Sequence, residues 1–182
     1  MRIIHCTQKL LKELGNPPVQ SIENIPVTDA DGLSNWYANL IRLDRKKCVL
    51  FTNEKTLYSF LIPKVKKENL KNIVDEFLFN LNMNLQAEGF PLEVINRVMQ
   101  EYTDIGFAKT SNRHVLGSMN EFTFHFEYLI IQRYEGIENI EILGVNKDIN
   151  RSLMRGSRHL YPIEMLQELL TGEQVPRPRI VS

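Results

Sequence analysis

The stretch WYANLIRL-DRKK-CVLFT-NEK-TLYSFLI, residues 36–62, decides the fold. It contains three runs rich in β-branched and aromatic residues, separated by two short polar breaks, and Pro63 ends the third run. Such runs with turn residues between them are typical of an antiparallel meander. The middle run, residues 48–52, is the most apolar and is therefore predicted to be the central strand. A helical start over residues 33–43 remains as an alternative.

Two long amphipathic helices are predicted downstream of the meander. Apolar residues recur at spacings of three and four over residues 67–88 and again over residues 112–134. Phe77 and Leu81 centre the first stripe, so we expect both to be deeply buried. Because strands and long helices are segregated along the chain, we expect an α+β fold. It would hold a mostly antiparallel sheet of four to six strands, with both helices covering one face.

Shorter elements complete one domain over residues 1–182. They are a strand over residues 2–6, a Thr7-capped helix that ends at Gly15, a strand over residues 105–110 and a helix from Pro162 to Leu170. Residues 16–35 carry no pattern and are interpreted as a long loop or flap. Residues 137–145 fit either a strand or a helix. Residues 173–182 are expected to be a frayed tail.

The composition is that of a globular protein. Of the 182 residues, 43% are hydrophobic, which excludes collagen-like and disordered chains. The 22 basic residues equal the 22 acidic ones, so no global charge marks a nucleic-acid or membrane-surface protein. No segment resembles a signal peptide or a membrane-spanning helix. Cys6 and Cys48 lack metal or redox spacing, although pairing between them cannot be read from sequence. We therefore expect a cytoplasmic protein with no membrane segment.

Several catalytic motifs are absent. The sequence has no P-loop, no dinucleotide-binding glycine motif and no nucleophile elbow. His125-Phe126-Glu127 matches half of a zinc deaminase signature, but the required P-C-x-x-C half is missing. Asp29-Ala30-Asp31-Gly32 resembles a calcium loop only faintly, and a solvated turn is the better interpretation. We therefore expect no metal site and no cofactor.

The segment 109–127, KTSNRHVLGSMNEFTFHFE, concentrates the candidate functional residues. A strand ends near Lys109, and Ser111 or Asn112 then caps the long helix. Free amides at a helix start, the helix dipole and nearby cations favour an anion such as phosphate or carboxylate. The opposing interpretation is that the cations are solvated or paired with carboxylates. The candidate ligand-binding residues are Lys109, Thr110, Ser111, Asn112, Arg113, His114, Ser118 and Asn120.

A polar stripe runs along the same helix. It consists of His114, Ser118, Glu121, His125 and Tyr128. A small metal-independent hydrolase or phosphate-handling enzyme would use His114 or His125 as its acid–base group, with Arg113 stabilising charge. Gly117 is costly inside a helix, which indicates close approach by a ligand or, preferably, by a neighbouring strand.

A second candidate surface interleaves aromatic and basic residues near the first strand of the meander. Its members are Trp36, Tyr37, Asn39, Arg42 and Arg45. Such a surface can stack bases and hold phosphates. Core packing of the rings and an ordinary charged turn explain the same residues. Nucleic acid is therefore a candidate partner, but the balanced charge disfavours it.

The strings WYANLIRLDRKKCVLFTN, TLYSFLIP and KTSNRHVLGSMNEF resemble signatures of an uncharacterised bacterial family, catalogued as a domain of unknown function. The resemblance covers most of residues 3–170. It implies a small stand-alone bacterial protein without an assigned activity, and it transfers no catalytic residue.

Three functions stay open at this point. The first is a binding or regulatory domain for a small anionic ligand or a protein partner, with its site at the start of the helix over residues 112–134. The second is the small hydrolase described above. The third is a structural interaction protein, such as a homo-oligomer.

Overall fold

Five strands form one sheet in the order β4-β3-β2-β1-β5. The computed structural model of the protein describes residues 1–21, 32–152 and 161–176. The strands are β1 (Arg2–Cys6), β2 (Trp36–Leu43), β3 (Lys46–Asn53), β4 (Ser59–Ile62) and β5 (Ile105–Lys109). The mixed α and β class is confirmed.

The meander is confirmed as β2, β3 and β4. Each neighbouring pair is antiparallel, with Ala38 opposite Phe51 and Phe51 opposite Phe60. Asp44 and Arg45 form the two-residue turn between β2 and β3, with φ of 45° and 62°. A two-residue hairpin turn with positive φ at both positions matches the twist of the flanking strands. The helical alternative for residues 33–43 is wrong.

The other half of the sheet is parallel. Strand β1 pairs in parallel with β2, where Cys6 lies opposite Ala38, and with β5, where Cys6 lies opposite Lys109. The antiparallel pattern expected for most of the sheet thus holds for the meander alone. The difference arises because parallel partners lie far apart in sequence and leave no hairpin signal.

Seven α-helices accompany the sheet in the described residues. They are α1 (Gln8–Glu13), α2 (Lys67–Lys71), α3 (Ile73–Ala87), α4 (Leu92–Gln100), α5 (Arg113–Tyr134), α6 (Ile142–Ile149) and α7 (Pro162–Thr171). The helix predicted over residues 67–88 is interrupted at Asn72, whose backbone leaves the helical region. The ambiguous residues 137–145 contain a 3-10 turn (Ile137–Asn139) and the start of α6, so they are helical.

The two long helices cover opposite faces of the sheet, so their expected placement on one face is wrong. Helix α3 packs into a core with Trp36, Phe51 and Phe60, and α1, α4 and α7 contribute to it. Helix α5 packs on the other face in a second core with α6. Successive residues of a strand point to opposite faces of the sheet, and in the strands both sets are apolar. Each face must therefore be covered by helices. Phe77 and Leu81 are fully buried, as predicted.

Asn146 of α6 and Asn150, the C-cap of that helix, complete the edge strand β4. The Ser59 amide donates to Asn150 Oδ1 over 2.8 Å, and the Leu61 amide donates to Asn146 Oδ1 over 2.9 Å. Asn150 Nδ2 donates in return to the Ser59 carbonyl. Because these backbone groups would otherwise be buried without partners, the side chains take the place of a sixth strand.

The predicted loop over residues 16–35 is partly ordered against the opposite edge. Val19 forms a parallel bridge with Phe107, and the Gln20 amide donates to the Phe107 carbonyl over 2.7 Å. Residues 22–31, which include Asp29 and Asp31 of the calcium-like turn, lie outside the described residues. The end of the predicted tail, residues 177–182, also lies outside them.

Candidate functional site

The carboxyl ends of β1 and β5 lie side by side, and the chain leaves them toward opposite faces of the sheet. Cys6 and Lys109, the last residues of these strands, are paired in register. Helix α1 follows β1 into the first core, whereas α5 follows β5 into the second core. In open α/β sheets, ligands bind outside the carboxyl ends of strands at such a switch point. We call residues 7 and 109–113 the β1/β5 edge.

The start of α5 is held in place by side chains of the sheet. Asn112 is the N-cap, and its Oδ1 accepts hydrogen bonds from the His114 amide at 3.0 Å and the Val115 amide at 3.3 Å. The Asn112 amide donates to the Tyr37 hydroxyl over 3.2 Å. The His5 ring stacks on Tyr37 with a centroid separation of 4.6 Å. Local sequence therefore positions the helix start, as an N-cap asparagine does.

His5 also fixes the end of β5. Its Nδ1 lies 3.1 Å from the Lys109 carbonyl oxygen and donates to it. Because the His5 side chain is buried and hydrogen-bonded, it fixes the position of the backbone that precedes α5. Sequence reasoning missed His5 and Tyr37 as supports of this edge, because their partners lie far along the chain.

Several polar groups at the β1/β5 edge have no partner among the described residues. Lys109, Ser111 and Arg113 are exposed, and Thr110 is half-buried. Neither Lys109 nor Arg113 forms an ion pair with any residue of the described ranges. Within those ranges, the amides of Ser111 and Arg113 also have no acceptor. Two exposed cations and two free amide donors thus occur within the five residues 109–113 that lead into the positive end of a 22-residue helix.

Thr7 and Asn39 border the same edge. The Thr7 hydroxyl donates to Asn39 Oδ1 over 2.9 Å, while the Thr7 amide donates to the Ala38 carbonyl. Thr7 also caps α1, as predicted, by accepting from the Leu10 amide. One sequence pattern could have indicated that these groups lie close together. A strand, a polar cap and a helix follow one another twice, at residues 2–13 and at residues 105–134.

The remaining candidates on α5 do not join this edge as one pocket. Ser118 is buried, and its hydroxyl donates to the His114 carbonyl over 3.2 Å, so it has a structural hydrogen bond. His114, Asn120 and His125 are exposed. His114 and His125 stand about 16 Å apart along the helix, so one small substrate cannot contact both.

Close packing against a strand does not explain Gly117. It is exposed, and nothing lies within 4 Å of the position that a Cβ atom would take. The preferred sequence-based explanation, a neighbouring strand, is therefore wrong.

The aromatic part of the second candidate surface lies in the core. Trp36 and Tyr37 are buried, so neither ring can stack on a base. The Trp36 indole nitrogen instead donates to the Tyr102 hydroxyl over 2.7 Å. Asn39 is half-buried, and only Arg42 and Arg45 remain exposed. Arg42 lies near the end of β2 and Arg45 lies in the turn that follows it, and neither has beside it the exposed rings that the nucleic-acid interpretation requires.

Neighbouring lysines of that turn are ion-paired. Lys46 lies 3.2 Å from Glu138, and Lys47 lies 2.8 Å from Glu13. Lys64 pairs with the same Glu138. The basic residues Arg155, Arg158 and His159, which would add to a nucleic-acid surface, lie outside the described residues.

A charged cluster at the end of α3 was not predicted. The Glu88 side chain is fully buried, and both its oxygens accept from the Arg151 guanidinium, at 3.2 and 2.6 Å. The Tyr58 hydroxyl donates to the same carboxylate over 3.3 Å. Burial, together with the Glu88 charge, raises the pKa of Tyr58 well above its usual range. All three groups satisfy one another, which is typical of a structural ion pair.

The described residues contain no group of three or more His, Cys, Asp or Glu side chains placed to hold a metal ion. Among these residues, no helix combines the length and the apolar character needed to cross a membrane.

Residues 3–165 match the model of one protein family, described as a domain of unknown function (DUF6933). The chain belongs to the DUF6933 family. The family resemblance predicted from the sequence motifs is thus confirmed, and the matched DUF6933 region includes β5 and all of β1 except Arg2. No curated protein and no solved structure matches the chain.

Proposed function

We propose that the protein is a binding domain for a small anion, a phosphate or a carboxylate, at the β1/β5 edge. The observation that carries the proposal is the pair of unpaired cations, Lys109 and Arg113, beside free amides at a switch point of the sheet. Elsewhere in the described chain, cations such as Lys47 and Arg151 have carboxylate partners.

Each group has a distinct part in anion recognition. The Arg113 guanidinium offers a planar fork of donors that matches two oxygens of a phosphate or carboxylate. Lys109 supplies a second, compact charge. The amides of Ser111 and Arg113 lie at the positive end of the α5 dipole, where negative charge is stabilised. Asn112 already satisfies the next two amides and keeps the helix start rigid.

Binding is favoured over hydrolysis by the setting of the histidines. His114 and His125 are both exposed, and neither ring contacts a described carboxylate that would orient it. General acid–base catalysis needs such a positioned group within hydrogen-bond reach of the substrate. His5, the histidine nearest the strand ends, is buried and bonded to the backbone.

We further propose a cytoplasmic location in a bacterium. Cys6 and Cys48 are free and buried, and they lie in the cores on opposite faces of the sheet. The sheet therefore separates them, which is consistent with a reducing compartment.

Thermal melts in sodium phosphate and in sodium chloride at equal ionic strength test the anion site. Phosphate is expected to raise the melting temperature of the wild type beyond the chloride value, since a ligand at 100 times its dissociation constant stabilises by about 2.7 kcal/mol. Arg113→Ala should abolish the increment, and Lys109→Ala should reduce it. Lys71→Ala, which removes an exposed lysine on α2, is the matched control and should keep the full increment.

Amide resonances give a second readout. Titration with phosphate is expected to shift the Ser111 and Arg113 amide signals and to leave those of α2 in place. Equal thermal increments in all four proteins, with no shift at these amides, would overturn the proposal.

A further inference from the structure

The outer face of α5 carries an apolar stripe that is exposed in the described part of the chain. Phe124, Tyr128 and Ile131 are exposed by 70%, 67% and 50%. Their spacings of four and three place them on one line of the helix, opposite the buried residues such as Phe122 and Phe126. Gly117 lies on the same line, two turns before Phe124. We call these four residues the α5 stripe.

We propose that the α5 stripe is a dimer interface that a second copy of this chain occupies, with the two α5 helices antiparallel. The two-fold axis passes by Phe124, so that this ring meets its own copy. Such an interface is self-complementary, because each copy presents the same surface.

The shape of the stripe fits this pairing. Gly117 precedes Phe124 by seven residues, and Ile131 follows it by seven. An axis at Phe124 therefore places Gly117 against Ile131 of the partner subunit. The space around Gly117 is open, with no atom within 4 Å of the place where a side-chain methyl would stand. The partner's Ile131 fills this gap as a knob fills a hole between packed helices.

The charges select the antiparallel direction. Arg113 begins the helix eleven residues before Phe124, and Glu135 follows its end eleven residues after Phe124. The antiparallel pairing brings Arg113 near Glu135 of the partner subunit, whereas a parallel pairing would set like charges against each other. Opposed helix dipoles favour the same direction.

The interface explains why glycine stands at position 117. Glycine is unfavourable in a helix interior, and no contact with the described residues requires it there. A close approach by another subunit supplies the requirement. The stripe from Gly117 to Ile131 spans only about 21 Å, so the interface is at the small end of specific contacts. A dissociation constant on the order of 1 to 100 μM is expected.

Sedimentation of the full chain, from about 5 to about 500 μM, tests the proposal around this expected constant. The wild type is expected to pass from monomer to dimer over this range. Gly117→Leu fills the hole and Phe124→Ser removes the central ring, so each should weaken dimerisation at least tenfold. Gly117→Leu should keep its fold, because the new side chain enters open space and leucine favours helix.

Phe79→Ser is the matched control. Phe79 is 64% exposed on α3, which covers the opposite face of the sheet, so its removal should leave the dimer unchanged. The substitutions at positions 117 and 124 leave Arg113 and the other proposed anion-binding groups in place, so the phosphate increment can be measured separately in proteins that no longer dimerise.

Mixing two cysteine variants establishes the orientation. Gly117→Cys and Ile131→Cys proteins, oxidised together with diamide, should form a disulfide-linked mixed dimer, and each variant alone should not. A wild type that stays monomeric throughout would overturn the proposal. A dimer that withstands both Gly117→Leu and Phe124→Ser would overturn it equally.

Discussion

The two sides of the sheet differ in whether their polar groups have hydrogen-bond or ion-pair partners. At the β4 side, Asn146 and Asn150 pair with the edge strand, and Glu88 is enclosed by Arg151 and Tyr58. At the β1/β5 edge, in contrast, exposed cations and amides have no partner within the described residues. Buried polar groups must be paired for stability, whereas exposed unpaired groups are available to a ligand. The meander side is therefore the structural half, and the β1/β5 edge is the half where we propose that a ligand binds.

The largest expected effect is at Phe77, which anchors the meander half. Its ring packs against those of Trp36, Phe51, Phe60 and Tyr102, with centroid separations of 5.1 to 6.0 Å. Phe77→Ala should lower the free energy of unfolding by about 3 to 5 kcal/mol, because it removes the ring and leaves a cavity. Urea melts measure the loss. A loss below about 1 kcal/mol would show that this core does not dominate stability.

Asn150 tests the pairing of the edge strand β4 more directly. Asn150→Ala leaves the amide and the carbonyl of Ser59 buried without partners, so a loss of about 2 to 3 kcal/mol is expected in the same melts. Asn139→Ala is the control, because Asn139 is exposed and donates only to the Tyr134 carbonyl. If the free energy of unfolding fell equally little in both variants, water would be replacing the Asn150 side chain, and the edge strand β4 would be open to solvent.

The smallest effect is a loss of stability at alkaline pH, carried by two buried tyrosines. Burial raises the pKa of Tyr58 and of Tyr102, with the charge of Glu88 adding to the effect at Tyr58. Both phenols thus stay protonated in the folded protein and ionise on unfolding near the ordinary pKa of about 10. Their contribution to stability is complete below about pH 10 and is lost as the pH rises above it.

The expected loss is about 1 kcal/mol per tyrosine over the first pH unit above this value. Urea melts from about pH 9 to about pH 11 measure it. Tyr102→Phe should flatten the dependence by removing one ionising group. A free energy of unfolding that did not change over this range would mean that water reaches both hydroxyls.

Local patterns predicted the elements but not their partners. The apolar stripe predicted α5 within one residue at its start, and Thr7 predicted the start of α1. The position of β1 in the sheet depends on pairing with β2 and β5, more than thirty residues away, and no turn motif records such pairings. The sequence could have predicted that α3 and α5 lie on opposite faces. Tyr37 and Ala38 are neighbours in β2 that point to opposite faces of the sheet, and both are apolar, so both faces need a cover.

The candidate site was predicted to the same degree. Lys109, Asn112 and Arg113 were selected as candidates because a strand, a cap and a helix follow one another in sequence. The support from His5 and Tyr37 depends on tertiary contacts that no local spacing encodes. The rings of Trp36 and Tyr37 were ambiguous because the same aromatic residues serve cores and binding surfaces.

The asparagines of α6 also bear on how slowly the protein opens. An edge strand ordinarily exchanges its outward amide hydrogens with solvent quickly, since local fraying is enough to expose them. Here the Ser59 and Leu61 amides donate to side chains of a helix that packs into the second core. Deuterium can reach them only when α6 separates from β4. The exchange rates of these two amides therefore report the detachment of a helix, although the amides belong to the outermost strand.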